Sequence, residues 1–151
     1  MTTFLALLLT IAATPNRTEW MRLESFHLTI GMPRAAAVDA LRAWEPKPGK
    51  TGDEVVVDYD GDKAITLEFR NNRLRSARFE LFVLLPEVRK VFEEEREYLL
   101  DARGEPRKET RSILIYDTAL PNLMVVAADD PTSEQGKKGV GVLAVRYYDP
   151  R

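Results

Sequence analysis

The chain has 151 residues, no cysteine, and 22 Lys and Arg against 24 Asp and Glu, for a net charge of −2. The lack of cysteine excludes disulfides, thiolate catalysis and Cys-ligated zinc or iron–sulfur centres, and a near-balanced charge argues against general nucleic-acid binding, which needs a basic footprint. A chain of this size buries roughly 68–70% of its unfolded surface, so a core needs no covalent staple, and 44% apolar with 30% charged residues is an ordinary globular composition.

The strongest apolar run comes first, from Phe4 to Ala13. It is about half of the roughly 20 residues that a membrane-spanning helix needs. Its length suits the apolar region of a signal peptide over residues 1–13, with Thr14-Pro15-Asn16 opening the mature chain. Met1-Thr2-Thr3 carries no Lys or Arg, which departs from that pattern. The alternative is an N-terminal strand or helix packed into the fold.

From Arg22 to Ile30 the residues alternate, with Phe26, Leu28 and Ile30 on one face and His27 and Thr29 on the other, which reads as a strand. Gly31 allows a sharp exit and Pro33 suits the first position of a helix. Ala37, Val38, Leu41 and Trp44 form its apolar stripe, and Glu45-Pro46-Lys47-Pro48-Gly49 ends it. A meander follows: Glu54 to Tyr59, the turn Asp60-Gly61, Ala64 to Arg70, the turn Asn71-Asn72, and Leu74 to Val83. Leu74 falls on the opposite parity to Ala77, Phe79 and Leu81, so a bulge is expected near Arg75-Ser76.

A second helix opens at Pro86 and runs to about Arg103. Val88, Val91, Phe92, Tyr98, Leu99 and Ala102 share a face, and Glu93, Glu94, Glu95 and Glu97 form most of the polar side. Gly104 is a natural stop. Three strands follow, Arg111 to Asp117, Asn122 to Ala128 and Gly139 to Tyr148, the last two joined by a polar loop over 129–138. Both halves thus read as a helix and three strands. Leu41…Glu45-Pro46-Lys47 and Leu100…Glu105-Pro106-Arg107 close the two helices alike. Residues 26–83 and 84–151 are either a duplication or two helix-plus-hairpin units that recur without common ancestry.

Ile30-Gly31-Met32-Pro33-Arg34, followed by Tyr59 and by Leu67-Glu68-Phe69-Arg70-Asn71-Asn72-Arg73-Leu74, resembles the SmpA/OmlA-type (BamE-like) domains over residues 26–82. The resemblance extends to the β-lactamase-inhibitor-protein-like group. It implies helices on one face of an antiparallel sheet and a role in binding other proteins without catalysis. Two features depart from the family: there is no lipid-anchoring cysteine, and one short helix stands where the family has a helix pair. No functional residue is carried over.

Asp58-Tyr59-Asp60-Gly61-Asp62 imitates the start of a calcium loop, but an EF-hand has Gly at its sixth position and Glu at its twelfth, where Lys63 and Phe69 stand. A charged hairpin tip is the simpler reading. Pro48-Gly49-Lys50-Thr51 resembles the end of a phosphate-binding loop, yet Trp44 occupies the place of its first glycine. His27, the only histidine, reads as a solvated strand residue rather than a general base. Arg70, Arg73, Arg75 and Arg78 cluster at one hairpin and suit either an acidic partner or pairing across strands with Glu68 and Glu80. Tyr59, Tyr116, Tyr147 and Tyr148 are the candidate binding residues, because exposed aromatics bury much area at little entropic cost. Buried, they are core. Adjacent Tyr147 and Tyr148 must face opposite ways.

The expected fold is α+β, a single domain over 14–151 with antiparallel strands and both helices on one face. The expected function is that of a small exported, non-enzymatic protein that binds another protein or an envelope component through the uncovered sheet face. No cofactor, nucleic acid or transmembrane segment is expected. The alternative is a cytoplasmic immunity-type or regulatory protein with residues 1–13 packed in the fold. A hydrolase using scattered carboxylates with His27 ranks last.

Overall fold

The computed structural model describes residues 17–117 and 121–151. The apolar run of residues 1–13 and the expected mature start at Thr14 lie outside the described residues. Eight strands form one antiparallel sheet: β1 (Lys47–Pro48), β2 (Glu54–Tyr59), β3 (Lys63–Arg70), β4 (Arg73–Leu84), β5 (Lys108–Glu109), β6 (Ile113–Tyr116), β7 (Asn122–Ala128) and β8 (Val140–Tyr148). Their order is β1-β2-β3-β4-β8-β7-β6-β5, so two meanders meet along β4 and β8. Helices α1 (Arg34–Ala40) and α2 (Val88–Arg103) lie on the same face, and the α+β architecture expected from the sequence is present.

Local chemistry explains the meander. Asp60-Gly61 and Asn71-Asn72 all take positive φ, the conformation that two-residue hairpins demand and that Asp, Asn and Gly tolerate. In the β3–β4 pairing Glu68 faces Ser76 but Phe69 faces Leu74, leaving Arg75 without a partner on β3. This is the expected bulge. It returns Leu74, 1% exposed, to the core side with Phe69.

Along β2, β3, β4, β6, β7 and β8, alternate residues point inward. Val55, Val57, Ile65, Leu67, Phe69, Ala77, Phe79, Leu81, Leu114, Leu123, Val125, Leu143 and Val145 join one buried cluster with Phe26, Leu41, Val88, Val91, Phe92 and Leu99. Residues 17–44 cover the β2–β4 half of that face through Phe26, which stacks on Phe79 and meets Tyr59 edge-on. Helix α2 covers β7 and β8.

Three expectations need correction. Residues 22–30 are not a strand: Leu23–Phe26 is a 3-10 turn closed by His27 at φ 55°, and the Leu28 N–H donates to the Leu23 carbonyl. The turn brings Phe26 and Leu28 to the core and leaves His27 exposed, which mimics alternation. The strand-like pairing comes slightly later, where Gly31, Met32 and Arg34 exchange backbone hydrogen bonds with Leu74 and Asn72. The helix expected to reach Trp44 ends at Ala40, and Arg42–Trp44 is a 3-10 turn. Glu95 is not on the solvated side of α2 but fully buried. Its spacing from Val88, Val91, Phe92 and Leu99 places it in the apolar stripe.

Candidate functional site

Strand alternation distributes the four candidate tyrosines unequally. Tyr116 and Tyr147 lie on the helix-covered face, 4% and 5% exposed. The Tyr116 hydroxyl donates to the Gly104 carbonyl and that of Tyr147 to the Met21 carbonyl. Each therefore ties an element to the sheet, and burial pushes the Tyr147 phenol far above its ordinary value. Tyr59 is half-buried in a ring cluster with Trp20, Phe26 and Trp44. As a surface, the four-tyrosine set reduces to Tyr148, which lies half-buried on the open face beneath the Arg146 guanidinium, 4.9 Å from the ring centroid.

The open face is ordered in rows by the strand register. One row runs Ile113, Val126, Ala144, Glu80, Ala64, Asp58, and the next Ile115, Met124, Arg146, Arg78, Thr66, Val56. A third, shorter row joins Ala128, Val142 and Phe82. The face therefore has two halves. Over β6, β7 and β8 it is apolar, with Ile113, Ile115, Met124, Val126 and Phe82 of the neighbouring β4 half-buried. Over β2 and β3 it is polar and charged. Residues 47–50 of the edge loop rise beside Val56, Asp58, Thr66 and Arg78 and frame a hollow of about 650 Å³.

At the boundary Arg78 and Arg146 stand directly opposite each other. Like charges in that position repel. Arg78 is drawn toward Glu80, 3.3 Å away and two residues along the same strand. Arg146 donates to the Ser76 hydroxyl at 2.9 Å. The expected pairing of the arginine cluster with Glu68 and Glu80 thus holds only for Arg78, and along one strand rather than across two.

The other motifs have structural positions. Asp60 and Asp62 flank Lys63 at 3.7 and 3.4 Å. The Gly49 N–H donates to the Glu54 carbonyl and the Lys50 N–H to its carboxylate, so 48–51 belongs to an edge turn. Among the described residues no group of three or more His, Asp and Glu is arranged to hold a metal, and no helix is long and apolar enough to cross a membrane.

Sequence reasoning overlooked one polar constellation. The Arg22 guanidinium, 6% exposed, lies 2.9 Å from Glu95 Oε1 and donates to Oε2 at 3.0 Å and to the Met21 carbonyl at 3.1 Å. It also lies 3.7 Å from the Tyr98 ring centroid. Burial pushes the Glu95 carboxyl above its ordinary value, with Arg22 pulling the other way. The group clasps the N-terminal segment to α2 and is enclosed rather than open to a substrate. The detectable signal was the position of Glu95 in an apolar stripe. Its partner was hidden in a segment that reads as a strand. Compared with protein-family models, with curated proteins and with solved structures, the chain matches none.

Proposed function

We propose that this chain is a small exported, non-enzymatic binding module whose open sheet face docks on another protein of the envelope. The observation that carries the reading is the apolar half of that face ending at Arg146 and Arg78. A contiguous apolar area bordered by polar residues is the ordinary makeup of a protein-binding surface. The two juxtaposed guanidiniums favour a partner that offers apolar side chains beside a carboxylate, because arginine forks bind carboxylates bidentately. Tyr148 at the border supplies a rigid aromatic contact. The resemblance to SmpA/OmlA-type and β-lactamase-inhibitor-protein-like domains points the same way, as does the signal-like start. A duplication of 26–83 into 84–151 fits the two meanders that meet at β4 and β8.

The test is hydroxyl-radical footprinting of the chain with a partner captured from an envelope extract and then purified. Protection of Met124, Phe82 and Tyr148 supports the reading. Protection confined to Trp44 and Tyr98, which are exposed away from the open face, sinks it.

A further inference from the structure

We propose that the arginine pocket at the end of the β3–β4 hairpin binds a phosphate-type oxyanion. This pocket, of about 360 Å³, is lined by Arg70, Asn71, Arg73, Arg75 and Arg151, with Gly31, Leu74 and Asp149 completing its wall. It forms where two chain segments share one flank of β4. Asp149 continues the β8 side by donating its N–H to the Arg75 carbonyl, and Gly31 takes over by donating to the Leu74 carbonyl. Arg75 sits at that seam because the bulge leaves it without a partner on β3. Bulges re-aim side chains in this way next to functional sites.

The charges of the pocket are not internally balanced. Asp149 is engaged by Arg151, whose N–H, Nε and Nη2 donate to its carboxylate at 2.9, 3.1 and 3.2 Å. Among the described residues, the Arg73 side chain donates only to the Gly31 carbonyl, at 2.9 Å. Among the described residues, Arg70 and Arg75 have no ion pair, hydrogen bond or ring contact from their side chains. Residues 1–16 and 118–120 carry no acidic side chain that could supply one. Arg70 and Arg73 also stand directly opposite each other across the hairpin, an arrangement that destabilises a sheet unless an anion joins it. Four guanidiniums, of Arg70, Arg73, Arg75 and Arg151, face the single side-chain carboxylate of Asp149, which both Arg151 and Arg75 attract. This excess favours a multiply charged anion, and the planar forks match the oxygens of a phosphate. The β3–β4 register and the bulge fix the backbone positions from which these side chains reach the pocket.

The experiment is isothermal titration of the full chain with inorganic pyrophosphate at low ionic strength, with sodium chloride matched for ionic strength as the reference. Saturable binding of one pyrophosphate per chain is expected, weakened at least tenfold in the double variant Arg70→Ala/Arg75→Ala. Among the described residues those side chains make no hydrogen bond or ion pair, so the variant is expected to keep its fold, which its thermal unfolding verifies. Arg111→Ala removes an equally unpartnered arginine outside the pocket and is expected to bind like the unaltered chain. A second arm floats the chain with phosphatidic-acid vesicles. Arginine-dependent flotation identifies a membrane-borne phosphate, and pyrophosphate binding without flotation identifies a free one. Absence of saturable binding, or a loss in Arg111→Ala equal to that of the double variant, overturns the proposal.

Discussion

The two faces of this sheet are written in the same alternating strands and finished in opposite ways. On the covered face, Phe79, Leu143, Val145 and Leu123 are fully buried, and the tyrosine hydroxyls of Tyr116 and Tyr147 each find a backbone carbonyl. On the open face the neighbours of those residues, Ala144, Arg146, Met124 and Tyr148, stay half-buried. The difference teaches that apolar alternation alone does not mark core. What marks core is a second layer that excludes water and offers partners to most of the polar groups it brings inside. Here that layer is residues 17–44 together with α2, and no described element plays the same part on the other side.

The largest way to break this asymmetry is to empty the covered face. Phe79→Ala removes a ring that meets Trp20, Phe26 and Tyr147. Denaturant unfolding is expected to show a loss of about 3–5 kcal/mol.

The polar clasp of the same layer comes next. Arg22→Met strands the Glu95 carboxylate in the interior, and breaking a buried pair from one side costs about 3–5 kcal/mol near neutral pH. The sign of the pH dependence follows from the raised folded-state value of Glu95. A carboxyl whose folded value lies above its unfolded one gives stability that is fully present below the ordinary glutamate range and lost as pH rises through the raised value. Unfolding measured across acid to neutral pH should therefore show the variant closest to the unaltered chain at the acid end. A double variant, Arg22→Met/Glu95→Leu, should recover most of the loss, since an apolar replacement of a buried pair is often neutral or better.

A smaller effect tests the fit between α2 and β8. A Cβ at Gly141 would be driven into the Val88 side chain. Gly141→Ala is expected to cost about 1–3 kcal/mol through overpacking, read from the shift in the denaturation midpoint.

Much of the fold was legible because its signals are local. The Asp60-Gly61 and Asn71-Asn72 turns, the parity break at Leu74 and the stripe of Val88, Val91, Phe92 and Leu99 each report one backbone requirement. Strands β1 and β5 were not legible, because two residues carry no period and their pairing depends on β2 and β6. The 3-10 turn at Leu23–Phe26 was misread because a tight turn followed by a left-handed residue can bring positions 26 and 28 to the same core. The candidate site was legible only in part. Alternation placed Tyr147 and Tyr148 on opposite faces, but which face the helices cover is a tertiary fact. The rows that gather Ile113, Ile115, Met124 and Val126 arise from pairings between separate strands, such as Ile113 with Val126 and Met124 with Arg146, 13 and 22 residues apart in sequence.

The measurement that bears most directly on the central claim is the affinity of the purified partner for Met124→Glu, set against Ala102→Glu. Met124 lies in the apolar half of the open face, and Ala102 is exposed on α2 on the covered side. Both changes add the same charge, and Met124→Glu is expected to cost about 1 kcal/mol or less in stability, as surface substitutions do. A loss of at least tenfold in Met124→Glu with unchanged binding in Ala102→Glu is the predicted result. Unchanged binding in Met124→Glu, or a greater loss in Ala102→Glu, would contradict it.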